Sequence, residues 1–206
     1  MGMEVVCFDL EGVLVPEIWI NVAEKTGIEA LRLTTRDVPD YDELMVYRLG
    51  ILEKEGLGIA EIQNVIAQLS PMPGAAQFLA WVKQNFQVII LSDTFYQFAA
   101  PLMTQLDYPA LFAHNLIIDD RGRIVDYKLR MRDQKAAAVR ALQELNFTVF
   151  AAGDSYNDTG MLLAADRGFL FRPPAKVIEE FPQLPVFTEY DALKAEFVSS
   201  SSRSIG

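Results

Sequence analysis

The sequence predicts an α/β fold: a parallel β-sheet with helices on both faces, and a small helical cap inserted after the first strand. Three observations carry that expectation. Short apolar, β-branched runs stop at polar residues without alternating, as strands buried on both faces do. Segments with helical spacing lie between these runs, and strand alternating with helix builds a parallel sheet. One long stretch breaks the alternation and carries helical signals alone. At 206 residues, against a typical ~150 per domain, a single core bearing an insertion fits the length.

In chain order, Glu4–Phe8 reads as the first strand, ending at Asp9. From Pro16 to Ser70 the spacing predicts helices near Pro16–Thr26, Tyr41–Glu55 and Ile59–Leu69, and no strand. Val15-Pro16 and Pro71-Met72-Pro73-Gly74 mark the edges of this insertion, since prolines restrict the residue before them and favour turns. Phe78, Leu79 and Val82 form the stripe of a helix over Ala75–Lys83, followed by a strand at Phe86–Leu91 and a helix over Tyr96–Leu106. Leu116–Ile118 and Ile124–Tyr127 flank Asp119–Arg123 as a β-hairpin. Ala138, Val139, Leu142 and Leu145 pattern the helix Lys135–Leu145, followed by a strand at Phe147–Ala152, a helix over Thr159–Ala165 and a strand at Gly168–Phe171. The run Ser199–Ser202 reads as a mobile tail. The expected organisation is a Rossmann-like core of residues 1–15 and 71–198, a helical cap of residues 16–70 above the carboxyl edge of the sheet, and a tail of residues 199–206.

Composition removes several functions. The chain has 18 Lys+Arg against 28 Asp+Glu, a net charge of −10 and a pI near 4.6, so no basic stripe for nucleic acid is expected. Cys7 is the single cysteine and cannot form an internal disulfide. The purely apolar stretches fall far short of the ~20 residues that span a membrane. Met1-Gly2 is followed by Glu4 and Val6, the pattern of neither a secretion signal nor a myristoylation site. A cytoplasmic protein is expected.

Chemistry gathers where strands end. Asp9 and Glu11, Ser92-Asp93-Thr94, and Gly153-Asp154 with Asn157-Asp158 each follow an apolar run, and open α/β sheets bind ligands outside the carboxyl ends of their strands. Singly, each is an ordinary helix cap or turn. Together they point acidic and hydroxylic groups into one crevice. Asp9 and Glu11, two residues apart at the end of a buried strand, repel one another and call for a cation. Mg²⁺, held by one or two carboxylates and a substrate phosphate, supplies it. Asp154 is the second carboxylate, and Asp158, one turn on, reaches the same place or supports it. Lys135 is either a solvated first-turn residue or, since it opposes the helix dipole, the neighbour of a bound anion. Arg48 on an apolar helical face either snorkels or reads a ligand, Glu17 either favours a helix start or binds, and Asn157 either caps the following helix or joins the site. His114, the sole histidine, reads as a hairpin-entry residue rather than a catalyst. Arg130 and Arg132 read as solvated charges.

These motifs resemble those of the haloacid dehalogenase-like phosphotransferase superfamily. Asp9-Leu10-Glu11-Gly12-Val13 is similar to its first motif, Asp-x-Asp-x-Thr/Val. Ser92, Lys135 and Gly153-Asp154-Ser155-Tyr156-Asn157-Asp158 resemble the second, third and fourth. The insertion resembles the cap of the phosphoserine phosphatase branch, in which Glu17 and Arg48 match the substrate-binding pair. Glu11 stands where most relatives have Asp, and Asp93-Thr94 where phosphoserine phosphatases usually have Gly-Gly. With Val13–Trp19, these departures resemble most the members that also pass the phosphoryl group to homoserine.

The resemblance implies Mg²⁺-dependent transfer from L-phosphoserine, through an aspartyl-phosphate on Asp9, to homoserine or water. It places Mg²⁺ on the Asp9 carboxylate, the Glu11 backbone carbonyl and Asp154. Glu11 is then general acid and later base, Lys135 a catalytic cation, and Glu17, Arg48, Ser92, Asp93, Lys135 and Asn157 the substrate-binding set. A plain phosphoserine phosphatase is the nearest alternative, and a homodimer is left open. A phosphoacceptor receiver domain is the distant alternative; it implies ~120 residues with its aspartate on a later strand. A dehalogenase would need no Mg²⁺.

Overall fold

The computed structural model describes residues 3–34, 37–38 and 40–205; Met1-Gly2 and Gly206 lie outside the described residues. Among the described residues, seven strands form one sheet in the order β4-β3-β2-β1-β5-β6-β7. They are β1 (Met3–Phe8), β2 (Gln87–Phe95), β3 (Ala110–Ile118), β4 (Ile124–Lys128), β5 (Phe147–Gly153), β6 (Arg167–Phe171) and β7 (Val186–Phe187). Every neighbouring pair is parallel except β3 and β4. The helices are α1 (Ile18–Thr26), α2 (Tyr41–Glu55), α3 (Ile59–Ile66), α4 (Ala75–Asn85), α5 (Tyr96–Met103), α6 (Gln134–Glu144), α7 (Tyr156–Ala164), α8 (Ala175–Glu180) and α9 (Tyr190–Ser200).

Strand β1 shows why the fold is layered. Its side chains alternate, Val6 and Phe8 entering one apolar cluster with Phe78, Phe150 and Phe197, and Val5 and Cys7 entering another with Val139, Ala151 and Leu162. Both faces are covered, so an unbroken apolar run is what such a strand requires. Its register positions the site: Phe8 lies opposite Ile90 on β2 and Ala152 on β5. Asp9 therefore leaves the sheet level with Leu91 and Gly153, just below Ser92 and Asp154. Helices α1, α2 and α3 fill the chain between β1 and α4. This segment meets the core through Trp19 of α1, whose ring stands edge-on to Phe98 of α5 at 5.2 Å.

Two expectations are revised. The hairpin's first strand starts at Ala110 rather than Leu116, parallel to β2 as far as His114 and antiparallel to β4 from Asn115. His114 is thus a strand residue facing the interior, not a hairpin entry. The serine run is not a mobile tail through its described length. Helix α9 continues through Ser200, and the next residues fasten to Glu4, buried on β1. Ser201 Oγ donates to Glu4 Oε2 at 2.7 Å, Ser202 N and Oγ donate to Oε1 at 2.8 and 2.9 Å, and Arg203 Nε lies 3.0 Å from Oε2. A buried carboxylate without these donors would be costly, which gives the polar segment a reason to be ordered. Truncation after Ser200 is expected to lower the urea-unfolding free energy by about 3 kcal/mol, and Glu4→Gln in the truncated chain to recover part of it. Equal stability of the full and truncated chains would contradict this.

Candidate active site

Asp9 sits at the head of the sheet, its amide donating to Ala152 O at 3.0 Å and its Oδ1 accepting from Leu10 N at 2.7 Å. Its Oδ2 is 3.0 Å from Lys135 Nζ. Lys135, in the first turn of α6, is only 3% exposed, so the solvated reading of this residue fails. Its ammonium also lies 2.8 Å from Asp158 Oδ1 and 3.5 Å from Asp93 Oδ2. Burial works against that charge, but Asp158, Asp9 and Asp93 outweigh it and hold the lysine protonated well above its ordinary range. Asp158 is 0% exposed; its second oxygen accepts from the amides of Asp154 at 2.9 Å and Ser155 at 3.1 Å. Gly153 is required here, because a Cβ on it would come within 2.4 Å of the Asp158 side chain. Gly12 likewise has φ of +75°, and a Cβ on it would come within 2.5 Å of the Asp154 carboxylate.

Three carboxylates, those of Asp9, Asp93 and Asp158, thus share one buried lysine, with Asp154 close by. Burial raises the Asp9 pKa well above its usual value, and Asp158 reinforces the shift, followed by Asp154 and Asp93; Lys135 opposes it. Such a cluster accepts a hard divalent cation. Asp9, Asp154 and Asp158 each bring an oxygen within 4.8 Å of the others. Asp158 gives one oxygen to Lys135 and the other to the amides of Asp154 and Ser155, so it also orients the cluster.

The repulsion expected between the Asp9 and Glu11 carboxylates is not what the structure holds. Glu11 turns away from the carboxylate cluster toward the cap, its Oε2 accepting from Ile18 N, the first amide of α1, at 2.7 Å. A helix N-terminus attracts a carboxylate, which explains the turn. Repulsion at Asp9 comes instead from Asp158 and Asp154. The Glu11 carboxyl is pushed up to about 8 by burial and then by Glu17.

One wall is built from strand ends and α6. Ser92 is buried, its Oγ accepting from Thr94 N at 3.2 Å. Gln134 Nε2 donates to Ser92 O at 2.6 Å and to Asp93 Oδ1 at 3.1 Å. His114 Nδ1 accepts from Arg130 N at 3.0 Å, and its Nε2 points toward Asp93 Oδ1 at 3.6 Å. Burial alone would raise the Asp93 carboxyl, but Lys135, His114 and Gln134 hold it well below the usual range. Asn157 lies in the first turn of α7, which Ser155 caps, and its Nδ2 is 3.5 Å from Asp93 Oδ2. The sequence assigned His114 to a hairpin entry and gave Gln134 no role, because neither stands in a motif and their partner Asp93 lies 21 and 41 residues earlier in the chain.

The facing wall comes from the cap. Arg48 of α2 is 6% exposed, not snorkelling. One guanidinium nitrogen donates to Leu33 O at 2.7 Å, its plane lies 4.4 Å from the Trp19 ring, and its Nε finds no partner among the described residues. Burial lowers its pKa to about 10 while Glu11, Tyr41 and Glu17 favour the charge. Glu17, just before α1, and Tyr41, at the start of α2, complete this side. A single cleft of 1320 Å³ is lined by Asp9, Glu11, Glu17, Arg48, Ser92, Asp93, Lys135, Asp154 and Asn157. It therefore holds each residue expected to have a catalytic, substrate-binding or metal role, while the fully buried Asp158 is not part of its lining.

Comparison with known proteins agrees with this architecture. Residues 3–166 match the family model described as haloacid dehalogenase-like hydrolase. The chain is 57% identical over 203 residues to phosphoserine phosphatase ThrH of Pseudomonas aeruginosa, covering 98% of this chain and 99% of that protein. It is 56% identical over 204 residues to a phosphoserine phosphatase of Pseudomonas syringae, covering 99% and 86%. A crystal structure of phosphoserine phosphatase in apo form superposes with a TM-score of 0.76 at 18% identity, over 96% of this chain and 98% of that one. With the sheet order, the strand-end aspartates and the buried lysine in place, the chain belongs to the haloacid dehalogenase-like hydrolase family.

Proposed function

We propose that this protein is a Mg²⁺-dependent phosphotransferase that takes the phosphoryl group of L-phosphoserine onto Asp9 and passes it to homoserine or to water. The observation that carries the reading is the juxtaposition in one cleft of a buried Asp9–Lys135 pair, suited to a phosphoryl group, and a buried Arg48 with Glu17, suited to an amino acid. The relatives named as phosphoserine phosphatases support the donor. Within the cleft, Asp9 Oδ2 attacks phosphorus in line with the serine oxygen, and Glu11 gives that oxygen a proton as it leaves. Lys135 and Ser92 meet the phosphoryl oxygens, with Asp93 and Asn157 beside them. Arg48 meets the substrate carboxylate and Glu17 its ammonium. The Asp9 carboxylate, the Glu11 carbonyl and Asp154 would hold Mg²⁺, which would neutralise charge on the phosphoryl group. Glu11, having lost its proton, then accepts one from the incoming hydroxyl.

Transfer has to outcompete about 55 M water with an acceptor near 1 mM, a handicap of about 10⁴–10⁵, which oriented binding at effective molarities of about 10⁵–10⁸ M overcomes. Homoserine added to labelled phosphoserine is therefore expected to divert product saturably from inorganic phosphate to phosphohomoserine. Inorganic phosphate alone at every homoserine concentration would make the protein a plain phosphatase. For the donor site, Arg48→Ala is expected to raise the KM for phosphoserine about 10–100-fold, the loss of a charge-assisted hydrogen bond, and to do so far more than for p-nitrophenyl phosphate. Equal effects on the two donors would remove Arg48 from recognition of the amino acid.

A further inference from the structure

Several hydrogen bonds join cap and core, among them Gln63 Nε2 to Gln97 O at 2.7 Å and Ile59 N to Gly122 O at 2.9 Å, and one of them reaches the strand segment beside the site. Tyr41 opens α2, and its hydroxyl donates to the backbone oxygen of Asp93 at 3.1 Å. Asp93 directly follows Ser92, so the bond ends on the strand segment that lines the phosphoryl side of the cleft. The Tyr41 ring is wedged edge-on between His114, at 6.2 Å, and Tyr127, at 6.0 Å. Beside it, the Tyr127 hydroxyl donates to the carboxylate of Asp42, the next residue of α2. Arg48 lies seven residues after Tyr41, two turns along and on the same side of the helix. Apolar contact tolerates sliding, whereas a directed hydrogen bond fixes a helix along its axis.

We propose that Tyr41 is a positioning residue that seats α2 against the Ser92–Asp93 strand and thereby sets where Arg48 holds an amino acid relative to Asp9. This rests on the reading of Asp9 and Arg48 given above. It bears on both halves of the reaction. In the second half the acceptor oxygen bonds to phosphorus, the bond from phosphorus to the Asp9 carboxylate oxygen breaks, and the acceptor's proton passes to Glu11. An amino-acid hydroxyl needs Arg48 in register for this step, and water does not.

The experiment compares wild type with Tyr41→Phe, which keeps the ring and removes one hydrogen bond. Phosphoserine with homoserine and p-nitrophenyl phosphate are the substrates, and melting is followed in parallel. The expected result is a loss of kcat/KM with phosphoserine that exceeds the loss with p-nitrophenyl phosphate by about 3–10-fold, the worth of one such bond. The share of product appearing as phosphohomoserine is expected to fall as well. Equal losses with both donors, or an unchanged product share, overturn the proposal. Should Tyr41→Phe unfold, Tyr127→Phe, which frees the same helix end through Asp42, carries the same expectation and the same refutation. Wild type inert toward phosphoserine but active on p-nitrophenyl phosphate refutes the underlying reading, and the role of Tyr41 with it. A wild type active on phosphoserine, beside a variant losing equally with both donors, refutes the role of Tyr41 alone.

Discussion

Asp9→Asn is expected to lower turnover of every phosphate donor by about four orders of magnitude or more, a barrier increase of about 5.5 kcal/mol, because an amide does not attack phosphorus. The fold is expected to survive the change and even to gain. Asp9 is buried beside Asp158, Asp154 and Asp93 with one lysine among them, so a neutral side chain removes repulsion. Lys135 keeps two carboxylate partners, Asp158 and Asp93. A variant that is inactive yet melts no lower than the parent separates a nucleophile from a structural carboxylate. Acid-quenched wild type is expected to retain label from phosphoserine and the variant to retain none. Turnover near the wild-type rate in Asp9→Asn would refute the assignment.

Exhaustive chelation is expected to cost at least about 10³-fold in rate, with recovery on adding Mg²⁺, since neutralising charge at a phosphoryl group is worth several kcal/mol. A second readout needs no substrate. A cation that binds the folded cluster stabilises it by about 2.7 kcal/mol at a hundred times its dissociation constant, so Mg²⁺ is expected to raise the melting temperature of the chelated protein. Asp154→Asn is expected to abolish most of that increase. Full activity after chelation, or no thermal response to Mg²⁺, would refute the cation site.

The elements that define the sheet were legible because strands covered on both faces leave unbroken apolar runs, as β1, β5 and β6 do. Spacing placed α2 at the bounds the structure shows, where Asp40 caps it and Gly56 closes it in a left-handed turn. The strand ends Asp9, Ser92 and Asp154 could be read as one site because parallel strands put their carboxyl ends on one edge. What local pattern could not reveal depends on partners far along the chain. His114 on β3 acquires its meaning from Asp93, and Glu11 turns to the cap because the first amide of α1 waits there. The serine-rich end has the composition of a loose tail, and Glu4, near the opposite end of the sequence, gives it a reason to settle, with Asn85 and Phe86 receiving Arg203.

That last pairing also imposes an order in time. Glu4 emerges early during synthesis, whereas Ser201 follows 197 residues later, an interval of about 10–40 s at roughly 5–20 residues per second. Until then the Glu4 carboxylate lacks the donors that meet it in the finished fold, so this corner of β1 is completed only when the last part of the chain arrives.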